Sequence, residues 1–178
     1  MSAFENFMDI GTRSFELLTE LEQDAEAIEV EVTFLISIAM SSFVMTMERL
    51  KETNPSSDYK SLPHIKQKTD TAFAQLVNES SLFCDEWKYM EIKTIKGEPD
   101  DWFSKNGDCI SSKKTKKMVD ILRNALAHGS IWTEGTEIDT LIFVSRKDNN
   151  KPKGPFEVLY CTPNNFKSFI KNWIKLLK

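Results

Sequence analysis

From Val32 to Met47 the chain runs 16 residues without a charge, bounded by Glu31 and Glu48. Such a stretch belongs either in a membrane or inside a protein. Crossing a bilayer takes about 20 predominantly apolar residues. This stretch is shorter and carries Thr33, Ser37, Ser41, Ser42 and Thr46, so a buried helix is expected and no membrane partner. Its apolar positions, 28, 32, 35, 36, 39, 40, 43, 44, 47 and 50, cover more than one helical face. A helix apolar nearly all round must be covered on several sides. The pattern therefore predicts a central helix from Asp24 to Thr53, part of whose surface can form a dimer. Met40, Met45 and Met47 read as adaptable packing, not as a metal or cofactor box.

Around that helix the rest of the chain reads mostly helical. Residues 2–23 predict a helix in two pieces, broken at Gly11-Thr12, where Thr12 can cap the second piece. Asn54-Pro55-Ser56-Ser57-Asp58 ends the central helix. A third helix is expected from His64 to Asn78, and a further one within Ser80–Ile95, with Leu82, Phe83, Trp87 and Met90 spaced to pack. Lys96–Ser112 holds Gly97, Pro99, Asp100-Asp101 and Gly107 and reads as a loop, pinned to the bundle by Trp102 and Phe103. After Gly129 the period changes. Ser130–Thr133, Thr140–Ser145 and Phe156–Cys161 are short and rich in β-branched and aromatic residues, predicting a small antiparallel ribbon. A last helix comes after it, capped by Thr162 or Asn164 with Pro163 inside its start. The expected fold is mainly α: an up-and-down bundle of five or six helices with a small antiparallel β ribbon before the C-terminal helix, in one domain spanning 1–178.

Composition narrows the function. A net charge of −4 argues against a protein that coats nucleic acid nonspecifically, though not against a local basic site. The three cysteines, Cys84, Cys109 and Cys161, are odd in number and far apart. They make no disulfide framework, and a reducing cytoplasmic setting fits them. With two histidines and no cysteine pair, no metal site and no cofactor are expected. The N-terminus carries Glu5 and Asp9 and lacks the basic region of a secretory signal.

The stretch Met118–Gly129, MVDILRNALAHG, carries the candidate chemistry. On a helix of 3.6 residues per turn, Met118, Val119, Ile121, Leu122, Ala125 and Leu126 share an apolar arc. Asp120, Arg123, Asn124, Ala127 and His128 share the polar one. Asn124 and His128 form an i,i+4 pair and meet side by side, while Arg123 and His128 lie at opposite edges of the polar arc. Gly129 is a helix-ending residue able to turn left-handed. The plainer reading stands beside this one: cations near a helix C-terminus suit its dipole. His64, the other histidine, comes after Leu62-Pro63 and reads as a solvated helix start. Lys113, Lys114, Lys116 and Lys117 precede the helix. Cations there oppose the dipole, so the run is a candidate phosphate contact as well as a solvated helix start.

Arg123-Asn124-Ala125-Leu126-Ala127-His128 resembles the signature of the HEPN family, small helical domains found in many prokaryotic toxin and defence ribonucleases. The resemblance implies a metal-independent endoribonuclease with RNA as partner and Arg123, Asn124 and His128 as catalytic residues, and the four lysines, by their charge beside that motif, are the candidate RNA contacts. It also implies a homodimer whose two motifs line one cleft, and an antitoxin protein as a further partner. RNA cleavage without metal needs a base for the 2′-hydroxyl proton, an acid for the leaving 5′-oxygen and cations for the phosphorane. Histidine titrates near working pH, and the arginine fork matches a phosphate with two hydrogen bonds. One histidine does not easily serve as both acid and base, so a twofold axis joining two motifs resolves the difficulty. Where some relatives carry a tyrosine two residues after the histidine, this chain has Ser130, so silencing by AMP transfer to that tyrosine does not carry over. The alternative is a non-catalytic module of the same family that binds RNA, nucleotide or a protein through the same groove.

Overall fold

The computed structural model of the chain describes residues 7–27, 30–50, 77–110, 115–147 and 154–177. They fall into two compact units, Met1–Leu82 with Lys167–Lys178, and Phe83–Phe166.

The first unit is helical. Helix α1 is Phe7–Glu20, α2 is Glu22–Ala27 and α3 is Glu31–Ala39. A π-helical turn, Met40–Val44, leads into α4, Met45–Leu50. Helix α1 runs unbroken through Gly11-Thr12, and the bend comes instead at Leu21. A glycine inside a helix costs only about 1 kcal/mol, which the packing of buried Ser14 and Leu18 offsets. The predicted single helix 24–53 is likewise interrupted before Glu31. The expected third helix, His64–Asn78, lies almost wholly outside the described residues.

Glu31–Glu48 is apolar and long enough by length and composition to cross a membrane. Within this unit it serves as a core helix. Phe43, fully buried, meets Phe169 and Trp173 edge-on at 5.1 and 4.9 Å between ring centroids. Its buried hydroxyls are satisfied locally: Ser42 donates to the Ile38 carbonyl at 2.7 Å and Thr46 to the Ser42 carbonyl at 2.6 Å. The indole of Trp173 donates to that same Ser42 carbonyl at 2.9 Å. Buried polar groups are tolerated when paired in this way. Lys167 and Lys171 both pair with Glu22, and the hydrogen bond from Lys167, then the positive charge of both lysines, holds the Glu22 carboxyl below its ordinary value.

The second unit overturns the expectation of a mainly α helical bundle. It is built on a five-stranded antiparallel sheet in the order β2-β1-β5-β4-β3, which makes the chain a mixed α/β fold. The strands are β1 Lys88–Ile92, β2 Asp108–Cys109, β3 Ile131–Glu134, β4 Thr140–Arg146 and β5 Phe156–Cys161. Three of them are the predicted ribbon. The error lies at Ser80–Ile95, expected to hold a helix, where Lys88–Ile92 instead pairs with β5 from Lys88↔Tyr160 to Ile92↔Phe156. Leu82, Phe83, Trp87 and Met90 fit a helical spacing, and a short apolar run does not decide its own period. Pairing with a strand far along the chain decided it.

Alternation along the strands gives the sheet two faces, both covered. The motif helix, α6 Thr115–Ala127, buries Met118, Val119, Ile121, Leu122, Ala125 and Leu126 on the face of Leu141, Phe143 and Ser145. On the other face Ile142, Val144, Val158 and Tyr160 form a core with Trp102, Phe103, Trp132 and Phe156 against it. Trp102 belongs to a four-residue helix, α5 Pro99–Trp102, and meets Trp132 edge-on at 5.6 Å. Trp102 and Phe103 thus pin their loop to the sheet, where a bundle was expected. The C-terminal helix α7, Pro163–Leu177, starts as predicted: the Thr162 hydroxyl accepts from the Asn165 backbone at 3.3 Å.

Candidate functional site

How α6 ends determines where its polar residues lie. The Gly129 amide donates to the Leu126 carbonyl at 3.1 Å and the Ser130 amide to the Ala125 carbonyl at 2.8 Å. With Gly129 at φ +63°, this is a Schellman stop, and His128 is its capping residue. The chain reverses there and enters β3 directly. The Val144 amide donates to the Ser130 carbonyl at 3.0 Å, which extends the β3–β4 register of Ile131↔Phe143 by one pair.

A cleft of about 680 Å³ opens at this junction. Asn124, His128, Ser130 and Ser145 form its polar side. Ile95, Trp132, Val144 and Phe156 form its apolar side, and Arg146 also lines it. His128 and Arg146 are exposed. Asn124 is tied to the sheet, its side-chain amide donating to the Ser145 hydroxyl at 3.3 Å. Of the three predicted catalytic residues, Asn124 and His128 come together here. Arg123 is half-buried and is not among the residues lining the cleft of its own chain.

The lysine run lies at the other end of α6. Lys113 and Lys114 are outside the described residues. Lys116 pairs with Asp120 one turn on. Lys117 reaches the buried carboxylate of Glu157 at 2.6 Å and stands 5.2 Å from the centre of the Tyr89 ring. Glu157 also accepts from the Tyr89 hydroxyl at 3.0 Å, a proton shared with Glu91 at 2.7 Å. Burial, then the two carboxylates, push the Tyr89 phenol up, so it stays protonated. Lys147 pairs with Glu91 at 2.9 Å and, with the Tyr89 hydrogen bond, lowers its carboxyl. This ladder fastens the start of α6 to β1 and β5.

Cys84 and Cys161 are poorly placed for nucleophilic work. Burial raises the Cys84 thiol and raises Cys161 much further, which disfavours the reactive thiolate. Among the described residues no group of three or more His, Cys, Asp or Glu stands ready to hold a metal.

Sequence reasoning missed Arg146, Ser145 and Trp132. Arg146 reads locally as the polar end of a strand, and nothing near it in sequence marks a site. Only the β3–β4 pairing and the helix stop bring it into the cleft that His128 lines.

Among comparisons with known proteins, the family model HEPN pEK499 p136 matches residues 2–178. No curated protein and no solved structure matches the chain.

Proposed function

The chain belongs to the HEPN pEK499 p136 family, and from that premise we propose a metal-independent endoribonuclease of toxin or defence type. One observation carries the reading. An exposed imidazole, His128, shares a cleft with the guanidinium of Arg146 and with Asn124, which is held against Ser145. That set matches the needs of a phosphodiester: a group that moves protons near neutral pH, a planar cation for the phosphate oxygens and a fixed hydrogen-bonding side chain. The 2′-oxygen of RNA attacks phosphorus as its proton passes to a base. The bond to the 5′-oxygen breaks as an acid protonates it, leaving a 2′,3′-cyclic phosphate and a 5′-hydroxyl.

Among the described residues one chain's cleft holds a single imidazole, so the reaction calls for a homodimer that pools two. In that arrangement Arg123, off the cleft of its own chain, is the phosphate ligand that the second copy brings. Asn124 positions rather than reacts. The single imidazole also favours the second reading, a module of the same family that binds RNA without cutting it.

Cleavage of a single-stranded RNA should persist in EDTA and yield cyclic-phosphate ends. His128→Ala should abolish it, and Arg123→Lys should impair it because an ammonium cannot reproduce the two-pronged geometry. RNA binding with no cleavage by the wild-type protein would leave the binding module.

A further inference from the structure

The sheet ends on a strand with an open side. In the order β2-β1-β5-β4-β3, β3 lies at an edge, and its outward backbone groups can be named. The Val144 amide donates to the Ser130 carbonyl, so Ser130 and Val144 form a hydrogen-bonded pair. Such pairs alternate along an antiparallel ladder. In this register Ser130, Trp132 and Glu134 turn their backbone groups towards β4, and Ile131 and Thr133 turn theirs outward. Neither outward residue has a backbone hydrogen-bond partner among the described residues. Edges of this kind are commonly blunted by lysine, proline or a bulge. The run Ile131-Trp132-Thr133-Glu134 contains neither residue and pairs with β4 without a bulge.

Two properties of this edge suit a second copy of itself. Antiparallel pairing that bonds Ile131 to the second copy's Thr133 sets Trp132 opposite its own counterpart at a non-hydrogen-bonded position. There Cα atoms approach to about 4.5 Å, and cross-strand aromatic pairs stabilise a sheet. Trp132 is half-buried and already held edge-on by Trp102 at 5.6 Å, so little ordering is needed. The charges are also self-complementary. The strand begins at the cleft lined by His128 and Arg146 and ends at Glu134, with Glu137 and Asp139 in the turn beyond. Antiparallel pairing sets the acidic end of each copy against the basic end of the other. We propose that β3 is a self-association edge, where two copies join antiparallel into one ten-stranded sheet about a twofold axis at Trp132. The interface is independent of the nuclease reading. Along the strands about 13 Å separates the two Ser130 positions across this axis, so it is not the twofold that pools two imidazoles.

The full-length protein is followed by sedimentation velocity over a wide concentration range. Association should depend on concentration, because a four-residue edge buries less than the about 800 Å² per partner of a standard interface. Thr133→Pro removes one outward N–H from each copy, and proline is tolerated on an edge strand where that group faces solvent. Losing two ladder bonds should weaken association roughly 5- to 150-fold. If Thr133→Pro fails to fold by circular dichroism, Thr133→Lys decides, since Thr133 is exposed and an edge lysine opposes pairing. Amide hydrogen exchange reads the register: Ile131 and Thr133 should gain protection as the concentration rises, while Trp132, whose amide faces β4, is protected throughout. A wild type that stays monomeric at every concentration overturns the proposal, as does a dimer unchanged in the folded variant, which joins through another surface. A tetramer that falls to a dimer in the variant supports the edge and leaves room for the pooled cleft. A dimer that falls to a monomer supports the edge and counts against the pooled cleft.

Discussion

Replacing Gly129 by alanine measures what the stop of the motif helix contributes. Gly129 sits at φ +63°, and a Cβ built there meets no atom within 4 Å. The substitution therefore creates no clash, and its cost is that of the backbone alone. An L-residue in the left-handed region costs about 1–2 kcal/mol. Alanine also restricts the unfolded chain, which offsets about 0.4–1 kcal/mol. The net loss should be centred near about 0.8 kcal/mol, or roughly 2–3 °C in Tm for a chain of this length. Gly129→Asn should lose less, since asparagine enters the left-handed region more readily. Thermal and urea unfolding followed by circular dichroism give both numbers. RNA cleavage at a temperature where all three proteins are folded should fall in the same order, because His128 caps the helix at this turn. Alanine as stable as glycine, or alanine and asparagine indistinguishable, would refute the argument from φ.

Three further outcomes are expected from the same geometry. Lys117→Met should destabilise more than Glu157→Gln, by about 1 kcal/mol or more in urea unfolding: the first leaves a buried carboxylate with the Tyr89 phenol as its one side-chain partner among the described residues, while the second leaves a lysine that reaches water. Glu22 has its carboxyl lowered in the fold, so its stabilising effect is complete above its unfolded value of about 4.5 and is lost as the pH falls through the lower folded value; Glu22→Gln should show a shallower loss of stability under acid, and an unchanged acid profile would dismiss this contribution. Arg123→Ala and His128→Ala proteins, each inactive alone, should regain part of the activity when mixed, because the shared cleft of the mixed dimer keeps one Arg123 and one His128; subunit exchange shown with two affinity tags and no recovery would count against a shared cleft.

Much of the local structure was written in the sequence because it depends on neighbours. The apolar arc of Met118–Leu126 gave the motif helix its buried face, and Gly129 its end. Thr162 and Pro163 marked the start of the last helix, and β-branched runs marked β3, β4 and β5. Arg123, Asn124 and His128 were named as a group because that short stretch resembles the HEPN signature, which lies within one helix. Tertiary structure decided the rest. Lys88–Ile92 became a strand only because β5, more than 60 residues on, offered it a ladder, and that pairing turned an expected ribbon into a five-stranded sheet. Trp102 and Phe103 found that sheet where a bundle was expected. The composition of the cleft was likewise out of reach of any local pattern. Arg146 and His128 line one cleft because β3 and β4 pair and the helix stops against them, while Arg123 is not among the described residues that line it. Periodicity tells which residues share a face of one element; only the packing of separate elements decides which faces share a site.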